Sequence, residues 1–362
     1  MRVLKRLLLL TCIALLYSLV APHRLAQEPL RRVQFARAIE ITHSGLGADS
    51  AVSSRSQPNE PGLLPFVHQD QYGYIDNAGV IVWLEQVDHG VALAATHYVN
   101  YPQMPEEQVV RAPGGVEIST LTAPGYPVLA PGYVYVISAS QDGLTAYRYE
   151  GAELWSRRFS APITDLDAVG DSVVVGLLDG TVMYLDAQGE AIVIDPDNES
   201  SVAVVYGVAL SPDERTVAVL SGLYPQRLRV FRLNENQEIT GAHARNLESQ
   251  RREPAVVQFD PRGEGLLYEH GPVLTHLSMD RFEHAEFEVE GEVISIAAGG
   301  AGQPTAFVSR LREHSELTIT APNRATVLRE RLSDAEAFVL QRGTCYLLAV
   351  GEVLICLEIV AG

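Results

Sequence analysis

The chain has 362 residues, 47% hydrophobic and 20% charged, with 27 Lys and Arg against 45 Asp and Glu and a formal net charge of −18. That apolar fraction excludes a disordered chain, and three cysteines exclude a disulfide-stapled miniprotein. The acidic balance excludes a nucleic-acid partner, because such a surface repels phosphate.

Residues 1–30 read as an export address. Arg2, Lys5 and Arg6 precede an uncharged apolar run from Leu7 to Ala21. The run is shorter than the roughly 20 residues of a spanning helix and matches the core of a signal peptide. No small-x-small cleavage pair follows it, since Ala26 has Arg24 at the −3 position and Ala21 has Leu19. The segment is therefore a hydrophobic helix that is either cleaved as a signal peptide or retained as a membrane anchor through residues 7–21. Both readings put the body outside the cytoplasm, in the periplasm. Removing residues 1–26 takes away four basic residues and no acidic one, leaving 23 against 45, a net of −22.

From residue 31 onward the sequence predicts one all-β domain, 31–362. The run 33–42, VQFARAIEIT, predicts a strand, and the polar stretch 43–62 an exposed loop. Beyond it, apolar runs of about five to seven residues recur between Gly, Asp, Asn and Pro, with no sustained helical period. Self-similarity decides the architecture. Asp142-Gly143 and Asp179-Gly180 each separate two strands, and Gly supplies the positive φ such tight turns need. Tyr147 and Tyr184 follow at matching places. A second turn glycine repeats further: Gly79, Gly115, Gly151 and Gly189 are spaced by 36, 36 and 38 residues, with Trp83 and Trp155 four residues after two of them. That period is the size of a four-stranded unit. Later units drift but keep the rhythm over 204–241, 255–289, 293–331 and 335–359.

The Gly-x-x-x-Trp repeat with a preceding Asp-Gly resembles the quinoprotein-type (PQQ-like) β-propeller repeat. The Ser211-Pro212-Asp213 turn resembles those of WD-repeat blades. The resemblance covers most of residues 60–360 and implies a β-propeller. About 31 predicted strands make eight four-stranded blades less one strand. The C-terminal unit lacks an outer strand, which 33–42 would supply, closing the ring by pairing the two ends of the chain. Seven blades is the alternative, with 61–120 as one irregular blade.

The resemblance does not carry an activity. Quinoprotein dehydrogenases stack their cofactor against an adjacent-cysteine disulfide, and no Cys-Cys pair is present here. Trp83 and Trp155 both occupy the structural repeat position, so no cofactor residue is carried over. The ten histidines have no metal-ligand spacing, no Gly-x-Ser-x-Gly elbow occurs, and the Gly-rich run Gly299–Gln303 opens no helix that could bind phosphate. Asp165 and Asp167, beside an innermost strand, are expected as solvated carboxylates at the mouth of the central channel. Cys345 and Cys356 lie on a hairpin around Gly351-Glu352. A tight turn there sets Cys345 opposite Glu358 and Cys356 opposite Leu347, diagonal neighbours that need a register shift to form a disulfide. Two buried thiols are the equal alternative.

One stretch stands out as a contact surface. In a four-stranded blade, the loop after the outer strand and the loop between the second and third strands open on one rim. In the 204–241 unit these are Gly241–Ala255, the longest inter-blade loop, and Ser221–Arg227. They would gather Tyr224, Arg227, Arg245, Arg251 and Arg252, a basic, Tyr-bearing spot of the residue types that anchor interfaces. The inner runs, such as VALAAT and VISIAAGG, are small and apolar. The function expected is a non-enzymatic protein-binding scaffold of the cell envelope, resembling the propeller proteins that assist envelope assembly. The alternative is a hydrolase or lyase with its site at the central channel.

Overall fold

The computed structural model describes residues 31–40 and 62–361, apart from 197–199, 249, 301–302 and 322–324. The export segment and hydrophobic helix expected over 1–30, the last two residues of the strand expected over 33–42, and all but the last residue of the stretch 43–62 expected as a loop lie outside the described residues. Every described regular element is a β-strand, 31 in all, arranged in eight antiparallel sheets. In chain order the blades span 64–86, 90–121, 125–158, 163–196, 202–247, 257–288, 292–332 and 337–361. Eight blades is thus the answer, and the stretch 61–120 divides into two of them. The last blade is completed by Arg31–Glu40, which pairs antiparallel with Val353–Ala361 from Arg31↔Ala361 to Glu40↔Val353. The ends of the chain close the ring as expected.

The repeated glycine marks one turn, between the third strand of a blade and the outer fourth. At Asp186 the side-chain Oδ1 accepts from the N–H of Gln188 and Glu190, and the Gly189 N–H donates to the Asp186 carbonyl. Asp76 and Asn234 build the same turn in blades 1 and 5. The last turn residue must take a positive φ, which Gly does cheaply: 74° at Gly79, 84° at Gly115, 97° at Gly151 and 76° at Gly189. Blade 1 has this turn at 76–80 between the second and third of its three strands. The position it lacks among the described residues is therefore the innermost.

The same glycines let blades interlock. A Cβ on Gly189 would stand 2.6 Å from the ring of Trp155, in the blade before it. Gly115 receives Trp83 in the same way, at 3.2 Å, and Gly151 receives Ser119 at 3.4 Å. In each pair the partner sits four residues after the preceding turn glycine. The Gly-x-x-x-Trp repeat is therefore a blade-to-blade joint. Tyrosines fill the spaces behind it: Tyr72, Tyr74, Tyr98, Tyr133 and Tyr135 are all at most 1% exposed. Such rings bury much apolar area while their hydroxyls reach polar partners. Tyr74 Oη, for example, donates to the carbonyls of Ala94 and His97 in blade 2.

Closure between blades 8 and 1 has its own joint. The rings of Phe66 and Phe338 stack with centroids 5.6 Å apart, and the buried His68 meets the Gly351 carbonyl through Nε2. Cys345 faces Glu358 and Cys356 faces Leu347, the register expected of the hairpin. The structure joins the two cysteines in that register, with Cα atoms 6.3 Å apart. No register shift is needed, because sheet twist brings one diagonal pair closer than a flat ladder would.

If the turn glycines are joints, substitution there is costly beyond the local turn. Gly189→Val places a branched side chain at positive φ and into Trp155, and should cost about 3 kcal/mol in urea unfolding. Gly343 also has a positive φ, 58°, but faces open space. Gly343→Ala should cost only about 1 kcal/mol.

Candidate functional site

Seven innermost strands are described around the channel: Gly90–Leu93, Gly125–Ala130, Ile163–Val169, Val202–Leu210, Val257–Phe259, Glu292–Ala297 and Ala337–Arg342. They carry no histidine and no cysteine. Each pairs with its own blade on one edge only, so its other edge presents unpaired N–H groups. Asp165 and Asp167 answer this need. The Val208 N–H donates to Asp165 Oδ2 and the Leu210 N–H to Asp167 Oδ2, both at 2.8 Å. Ser295 Oγ plays the same part between blades 7 and 8, accepting from the Val339 N–H and donating to its carbonyl, both at 3.0 Å.

The two aspartates are thus not the free, solvated carboxylates expected from sequence. They are half-buried and bolt blade 4 to blade 5. Burial pushes the Asp165 carboxyl up to about 7 against the hydrogen bonds from Val208 and Leu166, with the Asp167 charge adding to the rise. Asp167 shifts the same way, again chiefly by burial. Raised carboxyls occur in catalytic sites; here the rise comes first from burial, and the backbone hydrogen bonds of the blade joint oppose it.

The rim is built differently from its sequence outline. The outer strand of blade 5 runs over Ile239–Leu247, and the strands Thr216–Leu223 and Gln226–Leu233 leave only Tyr224-Pro225 between them. The expected long loop 241–255 is therefore half strand, and the loop 221–227 shrinks to a two-residue turn. The physical reason is that an outer strand faces solvent, so polar residues such as His243 and Arg245 do not exclude it.

This change separates the five rim residues. Arg245 lies on the outer strand and reaches blade 6, donating to Tyr268 Oη at 2.7 Å and Glu286 Oε1 at 2.6 Å. Arg251 turns inward. Its side chain is 10% exposed and pairs with Glu269, whose side chain is 1% exposed. Its backbone is clamped by Gln226, which donates to the Arg251 carbonyl and accepts from its N–H. Arg227 Nε donates to Asn246 on the outer strand. Tyr224 and Arg252 do come together: Arg252 Nη2 donates to Tyr224 Oη at 2.7 Å, and both residues are exposed, Tyr224 by 54%. Glu269, Tyr268 and Glu286 escaped the sequence reading. Glu269 carried a usable signal, because a carboxylate inside the buried run Gly265–His270 requires a cationic partner.

The β-propeller protein family matches residues 4–362, and the chain belongs to that family. An uncharacterized protein of Treponema pallidum (strain Nichols) is 25% identical over 234 residues, 65% of this chain. That match spans 62% of the relative's own length. Among solved structures, the computationally designed Ika8 protein is similar with a TM-score of 0.58 at 8% identity, over 83% of this chain and 96% of that one. BamB from Moraxella catarrhalis is similar with a TM-score of 0.57 at 12% identity, over 90% and 98%. At such identities the likeness is one of fold alone.

Two outcomes follow from the geometry. Arg251→Ala strands a buried carboxylate and should cost about 3–5 kcal/mol, whereas Arg252→Ala should change stability by no more than about 0.5 kcal/mol. Chemical denaturation of the two variants separates them. For Asp165, the folded state holds a proton that the unfolded chain releases above the ordinary carboxylate range. The stabilisation is full below that range and is lost as pH rises through about 7. The melting temperature should therefore fall between pH 5 and pH 8, and Asp165→Asn, which keeps an acceptor for Val208, should flatten that fall.

Proposed function

We propose that this propeller is an exported, non-enzymatic scaffold that docks a protein partner through the rim of blade 5. The observation that carries the reading is the exposed Tyr224–Arg252 pair. Arg245 and Arg251 spend their side chains on blade 6 and Arg227 on Asn246 of its own blade, so of the five rim residues this pair is the exposed one. It sits on a body of net −22 once residues 1–26 are set aside, so the partner segment it suits is acidic, with tyrosine and arginine as the anchoring types. The ring supports the reading mechanically, because interlocked blades hold loops in fixed positions on one face. The inner strands support it chemically: small and apolar side chains dominate, and the two channel aspartates hydrogen-bond to the backbone of the next blade. The apolar run at 7–21 supports export, with the propeller on the outer side of the cytoplasmic membrane and tethered there where the run is retained.

Photo-crosslinking in the full chain tests the rim. A benzophenone side chain replacing Tyr224 should give a discrete adduct, while the same group at Met104, an exposed residue of blade 2, should not. Adding Arg252→Glu should reduce the adduct at least tenfold. Equal adducts at both positions, or an adduct indifferent to Arg252→Glu, would overturn the assignment. Protease added to intact spheroplasts should digest the propeller, and protection would place it inside the cytoplasm instead.

A further inference from the structure

The rim of blade 5 has a third member beneath its exposed pair. We infer that this rim receives a single carboxylate of the docked partner, held by the Arg252 guanidinium together with the hydroxyls of Tyr224 and Tyr206. The inference rests on the docking reading above and names the group that docks.

Tyr206 is the central observation. It lies on the innermost strand Val202–Leu210, where the pairing with Thr216–Leu223 steps from Val205↔Ser221 to Gly207↔Leu220. An irregularity of this kind re-aims a side chain. Tyr206 is only 8% exposed, yet its hydroxyl has no hydrogen-bond partner among the described residues. Buried tyrosines usually give that hydroxyl a partner, as Tyr74, Tyr149 and Tyr184 do in this ring. Two observations set Tyr206 beside the pair. Its carbonyl accepts from the N–H of Ala255, on the same loop as Arg252, at 2.9 Å. Its phenol is raised in pKa by burial, lowered by the Arg252 charge and raised again by Tyr224.

The exposed pair is held in place. Buried Gln226 donates to the Arg251 carbonyl at 2.9 Å and accepts from its N–H at 3.0 Å, so the backbone carrying Tyr224 and the backbone carrying Arg252 are clamped together. Tyr224 keeps a φ of 62°, which a bulky residue rarely adopts and which persists where its surroundings enforce it. The unspent donors set the ligand class. Arg252 uses Nη2 on Tyr224 Oη, and its Nε and Nη1 have no partner among the described residues. Tyr224 accepts that bond and retains its own O–H, and Tyr206 retains its O–H as well. A carboxylate, with two oxygens, takes several of these donors at once. A phosphate suits the rim less, because Glu248 and Glu253 are exposed on the same loop and oppose a second negative charge. The carboxylate comes either from an Asp or Glu side chain or from the partner's C-terminus.

Fluorine NMR of the full chain with 3-fluorotyrosine at position 224 distinguishes these. The peptide acetyl-Gly-Asp-Gly-amide represents the side chain and acetyl-Gly-Gly-Gly with a free C-terminus the chain end. The asparagine version of the first peptide is the uncharged control, and its phosphoserine version the doubly charged one. A saturable shift with a carboxylate probe, none with the asparagine peptide and at least tenfold weaker binding of the phosphoserine peptide are the expected results. The tighter of the two carboxylate probes identifies the source. Tyr206→Phe removes one oxygen and should weaken binding at least threefold. Arg252→Gln, an exposed change, should weaken it at least tenfold and serves where Tyr206→Phe disturbs folding. The proposal is overturned by no saturable shift with either carboxylate probe, by equal binding of the asparagine or phosphoserine peptide, or by binding indifferent to Arg252→Gln or to a folded Tyr206→Phe. A crosslinked adduct at position 224 without carboxylate binding would sink this proposal and leave the docking standing. Carboxylate binding without any adduct would uphold the carboxylate site and end the docking reading.

Discussion

Everything in this ring depends on how one blade is fastened to the next, because a four-stranded blade cannot cover its own two faces. At the outer end the fastening is a missing side chain. The turn glycine of one blade leaves room for the residue four positions after the preceding blade's turn glycine, a tryptophan in two cases and a serine in a third. At the inner end the fastening is a hydrogen bond. Asp165, Asp167 and Ser295 reach across to backbone N–H groups of the neighbouring inner strand. The two devices solve different problems, volume at the perimeter and unpaired edges at the channel.

The inner joints shape what the channel can do. A carboxylate held by a backbone N–H is fixed in position, and half-burial beside a like charge raises its proton affinity. The blade 4–5 joint therefore responds to pH, while the seryl joint between blades 7 and 8 does not. Arginine is spent in the same way at the blade 5–6 boundary, where Arg245 and Arg251 each bind side chains of the next blade. Of the five rim residues that are basic or aromatic by sequence, only Tyr224 and Arg252 stay exposed after folding, beside the exposed Glu248 and Glu253.

The sequence made the periodic part of this legible. The spacing of Gly79, Gly115, Gly151 and Gly189, the strand count and the closing strand near residue 33 all follow from local rules of turn and alternation. Beyond residue 200 the signal weakens for a specific reason. Blade 5 puts Gln237 at the turn position with φ 61°, and blade 6 has Phe282 in its corresponding turn with φ 55°, so the glycine that marks the joint is replaced while its conformation is kept. The partners of Arg245 and Arg251 lie 18 to 41 residues away on another blade, beyond the reach of any local pattern. The register shift expected for the Cys345–Cys356 bridge is not needed for a geometric reason, since twist alters the separation of diagonal neighbours and a flat ladder drawn from sequence has none.

Charge gives the last link between fold and function. A body of net −22 carries most of its carboxylates on loops, where solvent screens them and they specify nothing. Burial changes that. Glu269 is buried and has Arg251; Asp165 and Asp167 are half-buried and have backbone N–H groups. Asp260 is buried at the 3% level and has two donors on one oxygen only. Each of these carboxylates is thus spent on the fold, at a blade joint for Glu269, Asp165 and Asp167 and in a turn for Asp260.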